Sequence, residues 1–138
     1  MAVALVLPPA PAGWETLQPA GASLWVVEPA EGPDSSLAAR VCAAINERGP
    51  EPPLAVIAGG SGALLLPAVA RAQRSTHRLV IDYLLIEPEL PSVTDSWPDA
   101  PVTVVSSDQW VTTQAQLRGW DLLDADRLSE WSPRWLSR

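Results

Sequence analysis

The chain has 138 residues and is acidic, with 16 Asp and Glu residues against 9 basic residues, all Arg, and a formal net charge of −7. This length suits a single domain over residues 1–138 with a real core. The scattered arginines argue against nucleic-acid binding, which needs a basic face. No apolar run reaches the roughly 20 residues that span a membrane. The single cysteine, Cys42, excludes an internal disulfide and fits a cytoplasmic protein, and without a His/Cys cluster we expect no metal and no cofactor.

Apolar runs alternate with helical patterns along the chain. Strand-length runs rich in Val, Ile and Leu predict five strands: Ala2–Leu7, Ser23–Val27, Leu54–Ala58, Leu79–Ile86 and Pro101–Ser106. Helical patterns predict helices over Ser35–Glu47, Ala63–Arg74 and Thr112–Arg118, with Pro67 in the first turn of the second helix or at a kink. The remaining segments are predicted as a loop over Glu87–Ala100, a short edge strand at Asp121–Asp124 and a last helix over Ala125–Trp135.

This alternation predicts an α/β fold. Nearly continuous apolar strands are typical of a parallel sheet that is covered on both faces. We therefore expect a three-layer sandwich around a mainly parallel sheet of five or six strands, with right-handed crossovers.

A turn of tiny residues between the third predicted strand and the next helix has Ser61 at its apex. Gly-x-Ser-x-Gly is the usual sequence of a nucleophile elbow, and here the last position holds Ala63. The positions two before and two after the serine must be small, because strand and helix nearly touch there, and Gly59 and Ala63 meet that demand. The segment is equally typical of a Gly-rich connection with a serine near a helix N-cap.

The ordered series of segments resembles an α/β-hydrolase reduced to its central part, over residues 2 to 123. The resemblance is carried by the loop Leu7–Ala10 with Trp14 beyond it, Leu24–Pro29, Ser35–Glu47, Gly59–Ala63, Leu84–Pro88 and Pro101–Asp108. It implies a minimal member without a cap domain or the family's first antiparallel strands. It also implies that the strands Ala2–Leu7 and Leu54–Ala58 are central and adjacent.

The resemblance also implies a site at the C-terminal edge of the sheet. Ser61 would be the nucleophile, on a strained turn, and Asp108 would be the acid, within about 10 Å of it. The backbone N–H groups of Gly62 and Ala10 would form the oxyanion hole. Asp108 suits a helix N-cap or a loop position equally well, and both interpretations stay open.

Aromatic residues follow several of the predicted strands. Trp14, Trp97 and Trp110, together with Gly60, are candidates to line an apolar pocket above Ser61. The same tryptophans would equally suit a role in covering the sheet edges that the missing strands leave bare. We expect the later tryptophans to anchor the C-terminal segment: Trp120, Trp131 and Trp135.

A catalytic base is missing from this pattern. The family places its histidine beyond the acid, but the only histidine here is His77, between the elbow helix and the next strand. At about 3.3 Å per strand residue, His77 should lie well over 10 Å from Ser61. Carboxylates stand where the missing segment would be, at Asp121, Asp124 and Asp126, but a carboxylate is a poor base toward a serine hydroxyl.

The leading hypothesis is therefore a hydrolase-like protein with a degenerate Ser-His-Asp triad, which binds a small apolar or acyl ligand or acts as a non-catalytic partner. A first alternative is a small serine esterase or thioesterase with an unusual base. A second is a nucleotide or phosphate binder, because Gly60-x-Gly62 precedes a helix and Asp82 follows about 20 residues later. An exposed sheet edge predicts a homodimer or a protein partner, and the lack of Lys indicates a GC-rich bacterial genome.

Overall fold

The computed structural model describes residues 2–19, 21–93 and 97–134. The strands within these ranges are β1 (Ala2–Val6), β2 (Ala22–Val26), β3 (Leu54–Gly60), β4 (Val80–Pro88), β5 (Val102–Val105) and β6 (Asp121–Leu122). They form one sheet in the order β2-β1-β3-β4-β5-β6, and every neighbouring pair is parallel. The predicted α/β fold is thus confirmed, and β1 and β3 lie side by side inside the sheet, as expected.

The helices pack on one face of the sheet. They are α1 (Leu37–Arg48), α2 (Leu66–Ser75) and α3 (Gln109–Leu117), and their buried side chains share one core cluster with the sheet residues Leu5, Val56 and Leu85. The connections from β2 to β3, β3 to β4 and β5 to β6 all run in the same direction across the sheet, so right-handed crossovers place them on the same face. Among the described helices, none is long and apolar enough to cross a membrane.

The second face is covered by 3₁₀ helices and extended chain. The connection from β1 to β2, with the 3₁₀ helix Trp14–Thr16, and the tail, with the 3₁₀ helix Ala125–Glu130, lie on this side. Their side chains bury Ala4, Ile57 and Leu84 of the sheet under Leu17, Leu128 and Trp131. Both faces are therefore covered, as the apolar strands predict, although the second layer contains no α-helix among the described residues.

Two predicted helices differ from the structure. The last one is a 3₁₀ helix that ends at Glu130, and the chain is already extended at Trp131, two residues before Pro133, which cannot continue a helix; Trp135 lies outside the described residues. The helix predicted from Ala63 begins at Leu66, after a 3₁₀ helix over Ser61–Leu65. Pro67 falls in its first turn, where its missing N–H leaves no helical hydrogen bond unmade.

A buried ion pair ties the tail to the sheet. Asp82 of β4 is 1% exposed, and its carboxylate accepts hydrogen bonds from the backbone N–H of Arg134 at 3.1 Å and from its guanidinium at 3.0 Å. The same guanidinium also binds the carboxylate of Asp121 in β6. Burial raises the pKa of Asp82 from its ordinary value of 3.8 to about 6, and the charge of Arg134 opposes this increase.

The raised pKa predicts how stability depends on pH. Folded Asp82 binds its proton more tightly than the unfolded chain does, so its contribution to stability falls as pH rises from 3.8 to about 6 and levels off above that value. The full effect is about 3 kcal/mol. Asp82→Asn removes this titration, so the free energy of unfolding of the wild type, relative to the variant, should fall between pH 4 and 7 in urea titrations. A difference that rises with pH would contradict burial as the dominant cause.

Candidate functional site

The turn after β3 has its unusual backbone at Gly60. This residue has φ 51° and ψ −134°, a conformation that residues with a side chain rarely adopt. Ser61 follows it, is exposed, and begins the 3₁₀ helix. Among the described residues other than Gly, a positive φ occurs at His77 and Glu87. The prediction of a strained turn at Ser61 is therefore wrong: the turn needs one residue with positive φ, and a glycine supplies it one position earlier.

The space around the turn also distinguishes Gly60 from its neighbours. A Cβ at Gly59 would lie 2.4 Å from the Cβ of Pro11 and 2.5 Å from the carbonyl oxygen of Ile86, and one at Gly62 would lie 2.9 Å from the carbonyl oxygen of Pro8. A Cβ at Gly60 would meet nothing within 4 Å. In a nucleophile elbow the nucleophile occupies the strained, open position between crowded small residues. Here a glycine occupies that position.

The residues predicted for the oxyanion hole lie at the expected edge. Gly62 is buried, and the approach of Pro8 brings the loop after β1 against the turn after β3. Ala10 is exposed in the same loop. Ser61, Gly62 and Ala10 therefore share the C-terminal edge of the sheet, and their role in binding an oxyanion stays a prediction.

Asp108 caps a helix. It follows β5 at the same edge of the sheet and is the N-cap of α3, where its Oδ1 accepts hydrogen bonds from the N–H of Trp110 at 2.8 Å and of Val111 at 3.3 Å. Such a cap contributes about 1 kcal/mol to stability. The N-cap interpretation that the sequence left open is confirmed, and the carboxylate is engaged by helix amides.

The single histidine lies at the other end of the sheet. His77 is exposed in the connection between α2 and β4, and this connection meets the sheet where β3 and β4 begin. Ser61 follows the last residue of β3. The seven residues of β3 separate the two ends by roughly 20 Å at 3.3 Å per residue, so His77 cannot accept a proton from Ser61.

The candidate pocket tryptophans are not brought together around Ser61. Trp97 is fully buried in the core on the helical face, in edge-to-face contact with Tyr83 and Trp120 at centroid distances of 5.7 and 5.4 Å. Trp110 is 61% exposed on α3, and Trp14 packs against the second face. Trp97 and Trp14 thus pack on the two faces of the sheet, and neither the pocket nor the cover of bare sheet edges that the sequence suggested describes their place.

A groove runs along the C-terminal edge of the sheet, above the ends of β3, β4 and β5. A depression of about 270 Å³ is bounded by Pro9, Pro11, Ala12, Gly59, Gly60, Ile86 and Glu87. It adjoins a larger one of about 460 Å³, which shares Ala12, Ile86 and Glu87 and extends to Val105, Asp126 and Leu128. We call the two together the edge groove. Its volume is in the range of small-molecule sites, and Gly60 opens into it.

Glu87 is the residue of the edge groove that the sequence analysis did not select. Gly59 pairs with Ile86 and Gly60 pairs with Pro88, so Glu87 is the extra residue of a β-bulge, with φ 45°. Bulges occur next to functional sites, where they redirect a side chain. The bulge is not visible in the sequence, but an acidic residue directly after the apolar run of Leu84, Leu85 and Ile86 is a signal that pattern analysis could use.

The carboxylate of Glu87 is held across the end of β5. Its Oε1 accepts a hydrogen bond from the backbone N–H of Ser107 at 2.8 Å, and its Oε2 accepts one from the hydroxyl of Ser106 at 3.2 Å. The Ser106 hydroxyl oxygen in turn accepts a hydrogen bond from the backbone N–H of Asp108 at 3.1 Å. The side chain of Glu87 is therefore fixed in direction although it is exposed.

Comparison of the chain with protein-family models, with curated proteins and with solved structures found no match in any of the three. Within the described residues, no group of three or more His, Cys, Asp or Glu residues could hold a metal ion. Interpretation of the edge groove therefore depends on its own geometry and charge.

The turn after β3 makes a testable prediction about stability. Gly60→Ala should cost about 1–2 kcal/mol, because the added Cβ has space but the backbone conformation disfavours it. Gly59→Ala should cost more, because the Cβ also collides with Pro11 and with a backbone oxygen of Ile86. Urea unfolding measures both. Equal costs would contradict the assignment of the open position to Gly60.

Proposed function

We propose that the protein is a hydrolase-like binding protein with a degenerate triad, and that it holds a small, largely apolar ligand in the edge groove. The observation that carries this proposal is Gly60 at the open, positive-φ position of the turn after β3. A groove adjoins that position, and the position lacks the nucleophile that an enzyme of this kind needs there.

The arrangement of the sheet supports the hydrolase-like part of the proposal. β1 and β3 are neighbours, and the loop after β1 contacts the turn after β3 through Pro8 and Gly62. An acidic residue, Asp108, follows β5 at the same edge. The resemblance of the sequence implies this set of relations.

The chemistry of the described residues supports the absence of standard turnover. A serine hydroxyl must lose its proton as it attacks, and a correctly placed base contributes 10²–10⁴-fold to the rate. His77 lies at the opposite edge, and Asp108 binds helix amides. Ser61 is therefore without the imidazole–carboxylate pair that activates a catalytic serine.

The nucleotide alternative loses its main support. A ribose-binding carboxylate would have to lie at the C-terminal edge, but Asp82 is buried on the second face and paired with Arg134. The edge groove also presents the carboxylates of Glu87 and Asp126, which repel phosphate groups.

Ser61 should not react as a catalytic serine. We expect no labelling of the purified protein by a fluorophosphonate probe, and slow hydrolysis of p-nitrophenyl esters that Ser61→Ala and His77→Ala both leave unchanged. Loss of a triad member leaves only oxyanion and binding effects, which explains the low rate. Labelling at Ser61, with hydrolysis that Ser61→Ala abolishes, would replace this proposal by the esterase alternative.

We also propose a cytoplasmic homodimer. β2 and β6 each have one neighbour in the described sheet, and an open strand edge favours pairing with another chain. Light scattering over a range of concentrations should show a dimer that dissociates on dilution, and a monomer at the highest concentration would contradict this expectation.

A further inference from the structure

We propose that the ligand of the edge groove carries an ammonium group, which binds the carboxylate of Glu87 while its apolar part lies in the larger depression. This inference rests on the proposed function and adds the chemical class of the ligand. Its basis is the combination of a groove of suitable volume, apolar walls and a fixed carboxylate at the point where the two depressions meet.

The charged residues that bound the edge groove are all acidic. Among the residues that bound the larger depression, Ile86, Val105 and Leu128 are apolar and Glu87 and Asp126 are acidic. None of the described residues that bound either depression is basic. A cation is therefore the charged group that this groove stabilises, whereas a carboxylate or phosphate would be repelled.

Glu87 has an unfavourable backbone conformation at the position where its carboxylate would bind the ammonium group. A residue with a side chain at φ 45° is unfavourable, and a glycine would relieve the strain. The bulge turns the side chain toward the end of β5, where Ser106 and Ser107 each donate to one of its oxygens. Each carboxylate oxygen has two lone pairs, so the group retains acceptor sites for an ammonium donor.

An ammonium ion is also a pairing partner that none of the described residues supplies to Glu87. The described ion pairs join Arg127 to Glu130 and Arg134 to Asp82 and Asp121, and Glu87 takes part in none of them. Its hydrogen-bond donors are neutral groups. A charge-assisted hydrogen bond from a ligand would be stronger than either of these contacts.

The test uses three six-carbon probes: n-hexylammonium chloride, n-hexanol and sodium hexanoate. Titration of the 138-residue protein, followed by the backbone amide resonances of Ala12, Glu87 and Leu128, gives a dissociation constant for each. We expect the ammonium to bind about tenfold more tightly than the alcohol, and the carboxylate to bind most weakly. The advantage of the ammonium should decrease as salt is added.

Variants identify the carboxylate that is responsible. Glu87→Gln keeps the shape of the side chain and should reduce the affinity for hexylammonium about tenfold, to that for hexanol, and Asp126→Asn should reduce it less. Glu51→Gln removes an equal charge from an exposed residue just before β3, at the opposite edge, and should leave the affinity unchanged. The melting temperature of each variant verifies that it is folded.

The outcomes separate this inference from the proposed function. Equal binding of the ammonium and the alcohol, equal effects of Glu87→Gln and Glu51→Gln, or no shift at these amides with hexylammonium would overturn the ammonium assignment. If hexanol or hexanoate shifts the same amides while hexylammonium does not, the groove still binds apolar ligands and only the inference fails. Labelling of Ser61 by the fluorophosphonate probe would overturn the proposed function independently.

Discussion

The ion pair between Asp82 and Arg134 holds the cover of the second face in place. The tail and the connection from β1 to β2 together bury Ala4, Ile57 and Leu84 on the face opposite the helices. Arg134 fixes the tail to β4, and through Asp121 also to β6. The same tail supplies one wall of the edge groove through Asp126 and Leu128. The ion pair near the start of β4 therefore helps to position a wall of the groove at the other end of that strand.

The order in which the strands join the sheet explains why the α-helices lie on one face and the 3₁₀ helices on the other. From β3 to β6 each strand lies next to the preceding one on the same side. Right-handed crossovers therefore place the connections between these strands on the same face of the sheet. Only the connection from β1 to β2 and the tail are left, among the described residues, to cover the other face. The described parts of these segments form 3₁₀ helices. The edge groove lies between them, bounded by Ala12 and Thr16 of the connection and by Asp126 and Leu128 of the tail.

The strands and their pairing could be predicted because burial on both faces leaves long apolar runs, such as those of β3 and β4. The glycine turn could not be resolved in the same way. Ala58-x-Gly60-x-Gly62 and Gly59-x-Ser61-x-Ala63 both satisfy the demand for small residues. The choice depends on which residue takes the positive φ, and contacts from Pro8 and Pro11, far away in sequence, make that choice.

The roles of Trp97 and Asp108 could not be predicted either, because they depend on contacts with other elements. Trp97 lies within the predicted loop Glu87–Ala100, so its sequence position suits an open pocket, but in the structure it packs in the core against Tyr83 and Trp120. Asp108 has the spacing of an N-cap and of a catalytic acid, and the sequence alone does not distinguish a carboxylate that binds helix amides from one that orients a base. The sequence pattern predicts which residues lie at the C-terminal edge of the sheet, but not which groups their side chains contact there.

Two positions with positive φ at the C-terminal edge of the sheet, Gly60 and Glu87, are neighbours. Gly60 pairs with Pro88, directly beside the bulge at Glu87, and the N–H of Glu89 binds the carbonyl oxygen of Gly60 at 3.0 Å. At Gly60 the positive φ costs little, because the residue has no side chain. At Glu87 it carries a cost that a glycine would remove, and burial does not explain why a charged residue is there, because its side chain is exposed. Strain of this kind persists where the surrounding structure enforces it, most often at ligand sites, which makes the carboxylate, and not the serine, the chemically distinctive group of the edge groove.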